Sequence, residues 1–215
     1  MKITILYDND VFLLHKNLVS DWGFSCLIEK DEKRLLFDTG AKPEILLGNM
    51  KILHVDPNSI DTIVISHEHW DHNGGMDVFE NAINDIVVYR PHQNVINPAK
   101  HVAVTSSILT ITKDIYSTGL LKNRIDEQSL ILKGKKGWYV LAGCAHPGVD
   151  TIVTTSKQVG NVVGIIGGLH GFKDFSILED IDFVCPCHCT KYKQKLKKLF
   201  PTKYVKGGVG KVIEL

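Results

Sequence analysis

An α/β fold is what this sequence predicts, on three observations. Short apolar runs rich in β-branched residues recur along the whole chain, and segments with helix-start signals or helical periodicity fall between them. Several of the runs stop abruptly beside a histidine, a cysteine or an aspartate. No repeat, low-complexity tract or linker divides the chain, so its 215 residues are expected to form a single domain, 1–215. That length buries a sizeable core without a disulfide framework.

The elements follow in order. Residues 2–7 read as a buried strand. Phe24–Glu29 and Arg34–Phe37 read as a hairpin around the charged turn 30–33, and the second strand runs into Asp38-Thr39-Gly40. A helix is expected from Pro43, since proline suits the first turn, where its missing N–H costs nothing. Ile60–Ser66 has the short apolar character of a fully buried strand and stops at His67, with Gly74-Gly75 soon after. Ile86–Tyr89, Trp138–Ala142 and Val162–Ile166 are further short strands. A weak helical pattern spans 149–158. Thr190–Phe200 reads as an amphipathic helix with Tyr192, Leu196, Leu199 and Phe200 on one face, and Lys211–Leu215 as a closing strand.

Composition narrows the class of partner. With 44% hydrophobic and 23% charged residues the chain reads as an ordinary soluble protein, and a formal net charge of +1 gives no case for nucleic acid or a membrane surface. No segment approaches the roughly 18 apolar residues of a membrane span. The opening apolar stretch is too short for a signal peptide and lacks a cleavage site. Five cysteines, three of them within 185–189, do not form a secreted disulfide pattern. A cytoplasmic protein with thiols, unligated or metal-bound, is the expectation.

The densest chemistry is His67-Glu68-His69-Trp70-Asp71-His72, directly after a buried strand. Alternate residues of an extended loop point the same way, so His67 and His69 can grip one metal ion. A turn into a helix would swing Asp71 and His72 toward a neighbouring position, where they could hold a second. Gly74 and Gly75 would let backbone crowd close behind these ligands. The plain alternative is a polar surface cluster.

His-x-His-x-Asp-His after a strand resembles the signature of the metallo-β-lactamase superfamily. Phe37-Asp38-Thr39-Gly40 resembles the segment that precedes it there. Gly143-Cys144-Ala145-His146, Gly167-Gly168-Leu169-His170 and His188-Cys189-Thr190 resemble segments of the branch that holds the methanopterin-pathway dihydropterin synthase-like proteins. Tyr7-Asp8-Asn9, Trp22-Gly23-Phe24-Ser25 and Val209-Gly210 fit that branch too, so the likeness covers nearly the whole chain. It implies a four-layer αββα sandwich with one or two divalent metal ions at its edge, zinc first and manganese or iron as alternatives. By position it implies that His67, His69 and His146 hold one ion and that Asp71, His72 and His188 hold the other. Asp38 would stand behind them, accepting the second N–H of a ligand imidazole. Asp71 and His170 are the candidate catalytic residues.

Several residues keep two readings. Cys144 stands near the place where many members of the superfamily carry a bridging aspartate, and it is either a thiolate ligand or a small buried residue. His170, in a glycine-rich turn, is either a substrate contact or acid–base group, or a structural histidine. His92 reads as structural, with Arg90 near it as an occasional phosphate or carboxylate contact. Alternation would point Cys185, Cys187 and Cys189 to one side and His188 to the other, so the three cysteines read as buried thiols before a metal or redox centre. Lys191, Lys193, Lys195, Lys197 and Lys198 read as a solvated face, with a role in drawing anionic substrate as the alternative. Gly207-Gly208-Val209-Gly210-Lys211 has no helix after it and is no phosphate loop.

The expected activity is metal-dependent hydrolysis, with a metal-activated water attacking an ester, a lactone or a phosphoester of a small molecule, anionic or neutral. The first alternative is a dihydropterin-type synthase whose metals bind a pyrophosphate leaving group, although the chain is short for that branch. The second is an iron-containing redox or metal-sensing protein. Against it, the di-iron flavoproteins of this fold resemble His-x-Glu-x-Asp-His, whereas the third position here is His69.

Overall fold

The structure is a computed structural model and describes residues 1–13, 17–79, 86–91 and 100–215, so the reading of His92 lies outside the described residues. It divides into two compact units, Met1–Val104 with Gly207–Glu214 and Thr105–Lys206 with Leu215.

The first unit is a seven-stranded mixed sheet. Its strands are β1 (Lys2–Tyr7), β2 (Ser25–Lys30), β3 (Lys33–Phe37), β4 (Thr62–Val64), β5 (Val87–Arg90), β6 (Lys100–Ala103) and β13 (Val212–Glu214), in the spatial order β13-β1-β2-β3-β4-β5-β6. The β2–β3 hairpin turns through Asp31, whose left-handed backbone (φ 54°) suits a two-residue turn. From β3 onward the pairing is parallel, so each return needs a crossover. Helix α1 (Pro43–Ile52) provides the first, with Pro43 in its opening turn as expected. Leu46 and Met50 of α1 pack on Leu6, Leu27, Leu36, Ile63 and Val88, each side chain worth roughly 1.5–3 kcal/mol when fully buried. Asn49 is buried on the same helix and ties down the loop after β1. Its Nδ2 donates to the carbonyls of Leu6 (2.9 Å) and Val19 (2.8 Å), and its Oδ1 accepts from Val19 N–H (2.9 Å).

The second unit is a six-stranded mixed sheet. Its strands are β7 (Leu109–Thr112), β8 (Ile115–Ser117), β9 (Leu130–Lys133), β10 (Trp138–Ala142), β11 (Val162–Gly168) and β12 (Phe183–Cys187), in the order β12-β11-β10-β9-β8-β7. The three strands β10, β11 and β12 run parallel. Helix α3 (Val149–Ser156) lays Val149, Ile152 and Val153 on Val140, Ile165 and Val184.

Helix α4 (Lys193–Leu199) is shorter than the sequence suggests. Thr190 is held in a turn after β12, its hydroxyl donating to Cys187 O (2.8 Å) and accepting Leu169 N–H (2.9 Å), so the helix begins after it. Leu196 is buried, but Leu199 is exposed and does not belong to the apolar face. No helix among the described residues is long and apolar enough to cross a membrane.

In both units the histidines leave the carboxyl ends of parallel strands, where open α/β sheets place ligands. His67 follows β4, His146 follows β10, His170 follows β11 and His188 follows β12.

Candidate metal centre

In the first unit, register explains the cluster. Phe37 pairs with Val64, so Asp38 and the segment 65–72 emerge side by side. Asp38 N–H donates to Val64 O (2.9 Å), and the residue takes a left-handed backbone (φ 55°) that turns its carboxylate toward Ser66 and His72. Helix α2 (Trp70–Asn73) then brings Asp71 and His72 around, as the motif predicts. Gly75 has to be glycine, because a Cβ there would stand 2.1 Å from the carbonyl oxygen of Thr39.

A hydrogen-bond chain sets the proton positions. Asp38 is fully buried and accepts Ser66 N–H on Oδ1 (2.7 Å), with the Ser66 hydroxyl (2.8 Å) and His72 Nδ1 (2.7 Å) on Oδ2. The Ser66 hydroxyl has given its hydrogen to Asp38, so at 2.9 Å it accepts from His67 Nδ1. Both imidazoles therefore carry their proton on Nδ1 and have an unprotonated Nε2. The ring centroids of His67 and His72 lie 4.1 Å apart, with both side chains fully buried.

His67 Nε2 lies 3.1 Å from His69 Nδ1. Two nitrogens that share a zinc-type ion at about 2.0–2.1 Å each stand about 3.0–3.4 Å apart, so this spacing fits one shared ion. His72 Nε2 stands 3.9 Å from Asp71 Oδ2, a second nitrogen–carboxylate pair. Trp22 holds that carboxylate: its indole N–H donates to Asp71 Oδ2 at 2.7 Å, while Phe24 N–H donates to Asp71 O at 3.1 Å. Glu68 is engaged elsewhere, accepting from Asn73 Nδ2 (3.0 Å) and pairing through both oxygens with Arg90. Arg90 thus meets a carboxylate of its own chain.

In the second unit, Cys144, His146 and His188 converge. The sulfur of Cys144 lies within 4.8 Å of a ring nitrogen of His146 and, likewise, of His188. Cys144 is buried, as one of its two readings requires, and is also close enough to serve as the ligand of the other. Ala145 (φ 57°), His170 (φ 45°) and His188 (φ 42°) all adopt the left-handed backbone, which for ordinary residues costs about 1 kcal/mol or more and gathers at functional loops. His188 is aimed by this turn rather than by strand alternation, which ends with β12 at Cys187. Cys185 and Cys187 are wholly buried with their sulfurs 4.0 Å apart, and Cys189 is buried too.

His170 is exposed, and its ring centroid lies 5.1 Å from that of His146. Both line a pocket of about 480 Å³ together with Val149, Leu169, Phe172 and Lys173. Of the lysines near α4, Lys195 lies over the ring of Phe175 (4.9 Å) and Lys191 over that of Tyr192 (5.7 Å), which accounts for both as cation–π contacts on their own surface.

The model of the metallo-beta-lactamase superfamily matches residues 23–159. The chain belongs to the metallo-beta-lactamase superfamily. An uncharacterized protein of Methanocaldococcus jannaschii is 28% identical over 261 residues, with 98% of this chain and 99% of that one covered. The 7,8-dihydropterin-6-methyl-4-(beta-D-ribofuranosyl)-aminobenzene-5'-phosphate synthase of the same organism is 26% identical over 266 residues, with 91% and 90% covered. Among solved structures, Tm1679, a metal-dependent hydrolase of the beta-lactamase superfamily, superposes with a TM-score of 0.81 at 24% identity, covering 100% of this chain and 99% of that one. The α/β fold expected from the sequence, the metallo-β-lactamase fold, is the fold of this chain.

Members of the superfamily bind divalent metals, and the donors here suit that. They are imidazole nitrogen and thiol sulfur, with the Asp71 carboxylate oxygen beside His72, a borderline set that fits zinc-type ions better than hard cations, which take oxygen alone. Sequence reasoning singled out His67, His69, Asp71, His72, Asp38, His146, His170 and His188, but it gave no role to Ser66 or Trp22. It passed over Glu127, a buried carboxylate beneath the 144–146 loop, because nothing in Asp126-Glu127-Gln128 marks it as inward-facing.

Proposed function

We propose that this chain is a metal-dependent hydrolase acting on an ester, lactone or phosphoester of a small molecule. The observation that carries this reading is the chain from His67 through Ser66 to Asp38 and back to His72, which puts the proton of two buried imidazoles on Nδ1 and turns their unprotonated Nε2 atoms toward His69 and Asp71. Following the order of ligands in the superfamily, His67, His69 and His146 hold one ion, and Asp71, His72 and His188 hold the other, within one metallo-β-lactamase-like domain over 1–215. When bound, such ions would supply Lewis acidity, drawing the pKa of a water far down toward about 7 and stabilising developing negative charge. The chain's own groups do the rest. Asp38 and Ser66 keep the ligand lone pairs aimed, Trp22 fixes an oxygen of Asp71, and the Asp71 carboxylate orients the attacking water. His170, exposed in the pocket beside His146, donates a proton to the departing group, while Val149, Leu169 and Phe172 exclude water from the substrate's apolar part. A cytoplasmic location belongs to the same proposal, supported by five buried cysteines in an odd, clustered pattern.

A synthase reading draws on the 26% identity to the dihydropterin synthase. That alignment runs over 266 positions against the 215 residues of this chain, so the synthase carries insertions absent here. Elemental analysis of protein purified without chelator, followed by assays on aryl esters, lactones and phosphodiesters, separates the readings. About two zinc or manganese ions per chain with hydrolysis that Asp71→Ala abolishes supports the proposal. Redox-active iron without hydrolysis points to an electron-transfer role, and a chain that takes up no divalent metal sinks the proposal.

A further inference from the structure

One hairpin of the second unit grips the backbone of His146 from both sides. Residues 121–127 close on themselves through Leu121 N–H to Glu127 O (2.9 Å) and Glu127 N–H to Leu121 O (3.2 Å), and Lys122 pairs with Asp126 across the tip (2.6 Å). From its base, the side chain of Glu127 reaches under the loop that follows β10. Its Oε1 accepts the N–H groups of Cys144 (2.9 Å) and Ala145 (3.0 Å), and its Oε2 accepts that of His146 (2.9 Å). From the tip, Asn123 Nδ2 donates to the carbonyl of the same His146 (2.8 Å). Thus both polar backbone groups of His146 end on side chains of the hairpin.

Glu127 is 0% exposed, and burying a carboxylate is expensive unless charge-assisted hydrogen bonds offset it. Three successive N–H groups converging on one anion form such an offset, and they require the backbone between them to curl. Ala145 supplies the curl with its left-handed φ of 57°. A neutral side chain would not hold this arrangement. A glutamine offers one acceptor oxygen, and its NH₂ would face an N–H where an acceptor is needed. The curl also decides where the flanking side chains go, since it turns the sulfur of Cys144 and the ring of His146 to within 4.8 Å of each other.

We infer that Glu127 is a positioning residue for the metal centre: its carboxylate, with Asn123 opposite, shapes the 144–146 loop so that His146 and Cys144 present their donor atoms together. The inference rests on the reading of His146 as a metal ligand. It assigns Glu127 no contact with substrate or metal. Its effect passes through backbone amides, so it shows in metal affinity and amide protection, whatever the substrate.

The test is Glu127→Gln, with zinc affinity measured by competition against a chromophoric chelator, amide hydrogen exchange measured at residues 144–146, and Tm measured in parallel. The expected result is a folded protein that binds zinc about ten- to hundredfold more weakly, the usual cost of losing a partner behind a ligand, with protection lost at Cys144, Ala145 and His146. A lowered Tm with wild-type zinc affinity would make Glu127 purely structural and overturn the inference. If Glu127→Gln does not fold, Asn123→Ala decides, since Asn123 is exposed and its loss spares the core. A severalfold weaker affinity with faster exchange at His146 supports the inference, and wild-type values for both overturn it. Should the wild-type chain bind no zinc, the hydrolase reading fails by itself, and protection at 144–146 still judges the hairpin: unchanged exchange in Glu127→Gln overturns it.

Discussion

The loop after β4 and the loop after β10 are each built around a fully buried carboxylate that accepts three hydrogen bonds, yet the two carboxylates act on different parts of the chain. Asp38 takes two of its three from side chains, the Ser66 hydroxyl and the His72 ring, and through Ser66 it also governs His67. Glu127 takes three from successive backbone N–H groups, those of Cys144, Ala145 and His146. The first arrangement decides which ring nitrogen carries a proton, and the second decides only where a ring stands. Asp38 therefore bears on the donor strength of two imidazoles, and Glu127 on the geometry of one.

The largest effect that sharpens this contrast is expected from Asp38→Asn. An amide Nδ2 would face the Ser66 hydroxyl and the His72 N–H, so both rings lose the acceptor that holds their proton on Nδ1. Zinc affinity should fall about hundredfold, at the upper end for a group behind a ligand, and imidazole ¹⁵N spectra should show altered protonation at His67 and His72. Glu127→Gln should leave the imidazole spectra of its own neighbours in the same tautomer while weakening binding. Equal spectral changes in both variants would erase the distinction.

A smaller effect belongs to Trp22→Phe. The indole N–H to Asp71 Oδ2 (2.7 Å) is a hydrogen bond to a charged group, but Trp22 is 50% exposed and water can replace it. About three- to tenfold weaker metal binding is expected, with near-wild-type Tm. A loss as large as that of Asp38→Asn would mean that the Asp71 carboxylate depends on orientation as heavily as the imidazoles do.

The smallest is a pH effect just outside the cluster. The hydrogen bond from Lys42 holds the Asp21 carboxyl below its ordinary range, helped by the N–H of Trp22 and the hydroxyl of Tyr7. Lys42 is held above its ordinary value by the same pair. A depressed folded pKa stabilises above the unfolded aspartate value, and the contribution is lost as pH falls through the folded one. A raised lysine value stabilises below the unfolded lysine pKa and is lost as pH rises through the folded one. The pair should therefore support the fold from mildly acidic to alkaline pH, and only slightly, since it sits in solvent. Melting curves of Asp21→Asn against wild type should differ near neutrality and converge in strong acid.

Much of the first unit was legible because its chemistry is contiguous. Four candidate ligands within 67–72 follow an apolar run, and Asp38 lies in a recognisable Asp-Thr-Gly segment at another strand end. Proline at 43 marked α1 to the residue. The second unit was harder to read for physical reasons. Strands β7 and β8 are four and three residues long, too short for alternation to register. Strand β12 contains Pro186, which argues against a central strand but is tolerated here because β12 lies at the edge of its sheet. Glu127 was invisible because an acidic residue before an apolar strand normally faces water, and only the fold reveals three amides converging on it. Leu199 departs from the expected face because it is the last residue of α4, where it is exposed.

Every cysteine of this chain is shielded from solvent, Cys26 in the first unit and Cys144, Cys185, Cys187 and Cys189 in the second. An alkylating reagent can therefore reach a sulfur only while part of the chain is open, and the rate of labelling becomes a clock for opening. Because one reporter sits in one unit and four in the other, mass spectrometry of partly labelled protein would order their opening without any engineered probe. Adding zinc to that experiment would show which of the two a bound ion keeps shut.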